Sequence, residues 1–187
     1  MATDTKTALL DVAEHAVRAR EFDGFSYADL AEAVGIRKAS IHCHFPTKAT
    51  LSAALMDRYH ATFDAECREI ETSHDTGADR LKALILLYRN ALNEGKTLGL
   101  CVTLISSRAS LSDQVIEKIK DFRAKMAARI EAIFALGQAD KSISGIANPA
   151  SEARAALALL ESAHLSARAE ENVQTFDEAV EALNSRC

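Results

Sequence analysis

The stretch Phe25–Leu51, FSYADLAEAVGIRKASIHCHFPTKATL, constrains the chain most, because its residues specify two short helices, the turn between them and the start of a third. Ser26 stands at an N-cap position, its hydroxyl free to accept a backbone N–H, and Asp29 three residues on supplies the acid of a short capping box. Leu30, Ala31 and Val34 give the first helix a buried side, and Gly35 can take the positive φ that ends it. Ile36 and Ile41 return to the core on either side of Arg37, Lys38, Ala39 and Ser40, so a second short helix turns a basic, polar N-terminal face outward. Two helices joined by a Gly-containing turn can place the second in a DNA major groove, N-terminus first. Ala31 is small where the two helices would cross.

Any small helical protein contains a helix, a glycine turn and another helix. The tail His44-Phe45-Pro46-Thr47-Lys48 makes the pattern specific: an aromatic anchor, a proline and an N-cap lead into a new helix with a lysine in its first turn. With the lead-in Asp23-Gly24-Phe25-Ser26 and the close His42-Cys43-His44-Phe45-Pro46-Thr47-Lys48, the segment from about Leu9 to Tyr59 resembles the N-terminal domain of TetR-family transcriptional repressors. One departure is His42, which occupies the position of the family's usual tyrosine. The resemblance implies double-stranded operator DNA as a partner. Ser26, Lys38, Ser40, His42, His44 and Lys48 are the expected phosphate or sugar contacts, and Arg37, Ala39 and Cys43 the candidates for base edges. Reading enough bases needs two heads on successive major-groove faces, hence a homodimer and a palindromic operator.

Composition agrees with an all-α protein. The 187 residues are 48% apolar and 26% charged, with no tryptophan and only 5% aromatics. The expected organisation is a three-helix head over residues 1–47 and a helical effector-binding and dimerisation domain over 48–187, about nine helices in all. The net charge of −5 argues against indiscriminate nucleic-acid binding. Between Ile36 and Thr50, however, Arg37, Lys38 and Lys48 occur with no acid, so positive potential is confined to the expected reading surface. The N-terminal residues read as no secretory signal, and no apolar run approaches a membrane span, so a cytoplasmic location is expected. Cys43, Cys67, Cys101 and Cys187 lack CxxC or zinc-ribbon spacing and read as free thiols.

Along the chain, Leu9, Leu10, Ala13, Ala16 and Val17 mark a first helix from about Asp4 to Arg20. After Lys48, Leu51, Leu55, Tyr59 and Phe63 recur every four residues in a helix reaching about Ile70. Ser73–Gly77 is a polar break, and Leu81, Leu84, Ile85, Tyr88 and Leu92 mark a helix ending near Gly95. Thr97 is the expected cap of a helix running to Arg108, and Ser112 of another with the stripe Val115, Ile119, Phe122, Met126, Ile130 and Ile133. Gly137–Asn148 reads as a loop, with Asn148-Pro149 as N-cap and first helical residue of the next helix. That helix is rich in alanine and leucine, and Val173, Phe176, Val180 and Leu183 line the last one. The resemblance implies that these last two helices pair with their mates in a dimer; as a pattern alone they equally describe a buried core.

His42, Cys43 and His44 cannot share a metal ion, because helical residues two apart point to opposite sides. His60, Cys67 and His74 lie too far apart along a helix to do so. No metal or cofactor is therefore expected. The chain has no phosphate-cradling glycine loop, nucleophile elbow or HExxH, which argues against an enzyme. The resemblance implies a repressor released by a small ligand, with Phe63, Tyr88, Leu92, Cys101, Thr103, Ile105, Phe122 and Met126 as the expected pocket lining, suited to a hydrophobic effector. Leu98-Gly99-Leu100-Cys101 is also similar to a Leu-Cys segment of a subgroup related to the N-ethylmaleimide-reductase repressor. Cys101 thus reads either as a redox-sensing thiol near a helix N-terminus or as a small core residue. A helical interaction module that does not bind DNA is the alternative of another class.

Overall fold

The computed structural model describes residues 5–187, and every regular element in them is helical. The helices are α1 (Thr5–Arg20), α2 (Tyr27–Val34), α3 (Lys38–His44), α4 (Lys48–Ser73), α5 (Gly77–Asn90), α6 (Leu100–Ser106), α7 (Asp113–Ala139), α8 (Pro149–Glu170) and α9 (Val173–Asn184), with one 3₁₀ turn at Arg108–Ser110. The proposed start of the first helix at Asp4 lies outside the described residues. None of the described helices is long and apolar enough to cross a membrane.

The chain forms two compact units: residues 1–61 with 100–120, and residues 62–99 with 121–187. Helices α4 and α7 each contribute residues to both. In the first unit, Leu9, Ala13 and Val17 of α1, Leu30 of α2, Ile41 of α3 and Leu51, Leu55 and Met56 of α4 are all buried. Arg58 ties α4 to α1, donating to Asp11 and Glu14 at 2.6 Å each and to the Leu10 carbonyl at 2.9 Å. Ser110 donates to Asp23 at 2.8 Å, so the segment after α6 belongs to the same unit as the α1–α2 turn.

The second unit has a ring cluster at its centre. Phe63 meets Tyr88 and Phe122 edge-on at 5.6 and 5.4 Å, within the range of favourable aromatic pairs. The predicted α7 stripe, Val115 through Ile133, is buried throughout its length. Arg129 of α7 pairs with Asp64 and Glu71 of α4, and Arg89 of α5 makes a two-pronged bond to Asp177 of α9 at 2.7 and 2.9 Å. Asn148 accepts from the Ser151 N–H and Pro149 opens α8, as their types predict.

Three expectations are corrected. Thr97 does not cap a helix: it is buried, its hydroxyl donates back to the Ala91 carbonyl at 3.0 Å, and α6 begins only at Leu100. Helix α5 stops at Asn90, with turns filling the interval to Lys96. The start of the predicted loop at Gly137 is still helix, because α7 runs on to Ala139.

The extension of α7 has a packing reason. A Cβ built on Gly77 would lie 2.3 Å from the Gly137 nitrogen, so the first turn of α5 rests backbone-to-backbone on the last turns of α7. The chain beyond α7 then caps α5: the Gly77 N–H donates to Asp140 at 2.8 Å and the Ala78 N–H to Ser142 at 2.9 Å. No rotamer change relieves a clash with backbone. Gly77→Ala is therefore expected to destabilise the protein by about 1–3 kcal/mol despite alanine's better helix propensity, read as a lower urea midpoint at unchanged slope.

Candidate nucleic-acid interface

The head is assembled from local signals. Ser26 accepts from the Asp29 N–H at 3.3 Å while its own N–H donates to the Asp29 carboxylate at 2.6 Å, a complete capping box. These bonds hold the Asp29 carboxyl below its ordinary range. Gly35 closes α2 at φ +75°, with the N–H groups of Gly35 and Ile36 bonded to the carbonyls of Glu32 and Ala31. Thr47 and Thr50 exchange backbone-to-hydroxyl bonds at 3.1 Å and start α4.

Between these caps, α3 has seven residues and buries only Ile41. Arg37, Lys38, Ala39, His42, Cys43 and His44 are exposed and Ser40 partly so; α3 and its N-cap therefore bring seven of the nine sequence-named contacts onto one short element. Arg37 is the N-cap residue of α3; its guanidinium, which only donates, makes no cap bond, and the residue is exposed. The Cys43 thiol faces its own helix, donating to the Ala39 carbonyl at 3.5 Å.

His42 is held by its neighbours. A carbonyl only accepts, so the 3.2 Å contact between His42 Nδ1 and the Pro46 oxygen places a proton on Nδ1. The ring lies 5.0 Å from Tyr27, whose hydroxyl donates to the Phe45 carbonyl at 2.9 Å. Burial pushes the Tyr27 phenol up to about 12, so it stays protonated and keeps that bond.

The other two named contacts have partners within the protein. Ser26 is exposed and uses one of its two hydroxyl lone pairs on the cap. Lys48 donates to the Phe22 carbonyl at 2.9 Å, with its ammonium 4.2 Å from the Phe25 ring centroid and 5.1 Å from that of Phe22. Burial pulls its pKa down, offset by the charges of Asp23 and Asp29. Lys48 thus clamps the α1–α2 turn onto the start of α4.

The expected pocket residues divide between the two compact units. Phe63, Tyr88, Leu92, Phe122 and Met126 are buried in one; Cys101 and Thr103 are buried, and Ile105 partly exposed, in the other. Cys101 is only 3% exposed, which favours its reading as a core residue over that of a reactive thiol. Burial also pushes the Cys67 thiol up to about 11. Among the described residues, no group of three or more His, Cys, Asp or Glu side chains is placed to hold a metal ion.

His164 escaped the sequence reading. It is 1% exposed, accepts the Gly99 N–H on Nδ1 at 3.3 Å and, since a carbonyl only accepts, donates from Nε2 to the Tyr88 oxygen at 2.9 Å. Its place on the buried stripe of α8, with Ala153, Ala156, Leu157, Leu160, Ala163 and Ala167, was the signal that could have found it.

If Lys48 is a clamp, Lys48→Met, which keeps most of the stem, should lower the stability of the head by about 1–2 kcal/mol through loss of the carbonyl bond and the cation–π contact. Thermal unfolding followed by circular dichroism measures this; an unchanged midpoint would reduce Lys48 to a surface side chain.

Comparison with known proteins agrees with this geometry. Residues 9–55 match the family described as bacterial regulatory proteins, tetR family. A stretch of 98 residues is 31% identical to the HTH-type transcriptional regulator TtgR of Pseudomonas putida, covering 51% of this chain and 47% of that protein. The chain thus spans about half the length of the curated relatives it matches. Over 97% of its length it superimposes on 96% of a TetR-family transcriptional regulator from Agrobacterium tumefaciens, with a TM-score of 0.92 and 26% identity. The reduced form of E. coli NemR matches in fold, with a TM-score of 0.81 and 21% identity over 99% of this chain and 96% of that one. The capped α2, the Gly35 turn and the exposed α3 all fall within residues 9–55, the segment that matches the tetR family, and the fold as a whole is similar to that of the TetR-family regulator from Agrobacterium tumefaciens.

Proposed function

We propose that the protein is a dimeric DNA-binding transcriptional regulator of the cytoplasm, not an enzyme, and that it acts as a repressor released from a palindromic operator by a small hydrophobic ligand. The observation that carries the DNA-binding part is α3: a helix anchored by one buried side chain, with Arg37 and Lys38 exposed at its start and no acid along its length. Lys38 supplies a phosphate contact and Arg37 has the two-pronged donor geometry that reads guanine. Lys48 and Ser26 act first as parts of the scaffold, and His42, Ser40 and His44 border the phosphate path.

The dimer reading is supported by α8. Ser151, Ala155, Ala158, Ser162, Leu165 and Ala169 are all exposed, and they recur with alternating spacings of four and three, the seam of a helix pair. Leu165 is 48% exposed, although an alanine-rich face of this kind allows close helix approach. The effector reading rests on the apolar interior around Phe63, Tyr88, Leu92, Phe122 and Met126. Neither a thiol switch at buried Cys101 nor a module without DNA binding is favoured.

A duplex obtained by in vitro selection provides the test. Arg37→Ala should weaken binding by about 1–3 kcal/mol and relax preference at one base pair, whereas Lys38→Ala should weaken all sequences alike and reduce the salt slope by about 1. Selection that returns no sequence, with both variants binding as wild type, would remove the reading. Separately, Ala158→Glu is expected to convert dimers to monomers in sedimentation velocity with helix content preserved; a wild-type monomer would contradict the α8 seam.

A further inference from the structure

The outer cleft between the second half of α4 and α5 has a lining that DNA recognition and dimerisation do not use. It is an open groove of about 230 Å³ that joins the apolar side chains of Ile70, Ala83, Leu86 and Leu87 to the carboxylates of Glu66 and Glu69, and it is also bordered by His74, whose Nδ1 donates to the Ile70 carbonyl at 3.1 Å. All of these residues belong to one compact unit. Leu86 is 52% exposed, one of the two large apolar side chains most open to solvent among the described residues. A single exposed leucine is ordinary, but here it stands over a concave surface walled by two acids.

The acids of α4 separate by helical face. Asp64 and Glu71 lie on the side that meets α7, where Arg129 pairs with both, and Asp64 also receives Arg68 at 2.5 Å. Glu66 and Glu69 lie on the cleft side and form no ion pair among the described residues. Burial pushes the Glu66 carboxyl up, and the charge of Glu69 pushes it further. A partly desolvated carboxylate beside a like charge, next to apolar surface, is the environment that a cation with an apolar body satisfies. The cation offsets both charges and the body covers Leu86 and Leu87.

We infer that the α4–α5 cleft is a binding site for small organic cations, a quaternary or primary ammonium carried on one ring or a short chain. The volume sets the size class, since it falls below the roughly 300–1,000 Å³ of pockets that take drug-sized ligands. The site lies apart from the residues expected to line the effector pocket, none of which borders the cleft. It does not depend on DNA binding, so its failure would leave the regulator reading intact.

Benzyltrimethylammonium is the probe, with benzenesulfonate as a control of similar size and opposite charge. Methyl-resolved NMR titration of the full-length protein should show saturable shifts at Ile70, Leu86 and Leu87 with the cation alone. The double variant Glu66→Gln, Glu69→Gln, isosteric changes at one half-buried and one exposed position, should bind at least ten-fold more weakly while melting as wild type does. Equal response to the sulfonate, shifts confined to the Leu92 and Met126 methyls instead of the cleft, or an unchanged titration in the double variant would each overturn the assignment.

Discussion

Helix α3 is too short to be stable alone and buries only Ile41, so the surface it presents depends on the polar ties around its C-terminal end. Tyr27 bonds the Phe45 carbonyl, His42 bonds the Pro46 carbonyl, and Lys48, just beyond, holds the Phe22 carbonyl between two phenyl faces. Each tie joins a side chain to a backbone oxygen that a helix end would otherwise leave to water. The apolar contacts position α3 against α2 and α4; these bonds set its orientation. The proposed reading role of α3 requires that order of control, because base-edge recognition depends on donors being placed to within fractions of an ångström.

Charge is distributed to the same end. A protein of net charge −5 repels a polyanion at long range, and the exposed start of α3 reverses that sign locally with Arg37 and Lys38. The electrostatic part of an affinity built from so few cations is modest, and its salt dependence is shallow, because the slope scales with the number of phosphates contacted. Asp29 and Asp140 act as caps, and Asp64 and Glu71 pair with Arg129, whereas Glu66 and Glu69 stand half-buried or exposed beside an apolar cleft.

The second compact unit buries the imidazole of His164 almost completely. His164 satisfies both ring nitrogens with backbone partners, so its burial leaves neither of them unbonded. Its ring also meets Tyr88 edge-on and Phe176 at a tilt, with centroids 5.6 and 5.5 Å apart, joining α5, α8 and α9. The Gly99 N–H it accepts belongs to the residue just before α6. A directional bond at that point specifies one arrangement of the peptide where apolar packing alone would tolerate several.

Most of the helices, the capping box at Ser26, the turn at Gly35, the Asn148-Pro149 start and the α7 stripe were legible from residue order, because each is a matter of neighbours three or four positions apart. Thr97 misled for the same reason: a threonine before an apolar run has the local chemistry of a cap, and only a carbonyl of the preceding turn, at Ala91, shows where its hydroxyl goes. Lys48 read as one more outward cation, yet its partner lies 26 residues earlier in the chain. The bonds of His164, the backbone contact of Gly77 with Gly137 and the pairing of acids on one side of α4 but not the other likewise join segments that sequence spacing does not relate. The sequence by itself therefore determined which helices form and which faces are apolar, since propensity, capping and periodicity act within a few residues. Tertiary structure alone decided which polar groups are spent inside the protein and which remain for a partner, since that depends on contacts made only when distant segments pack.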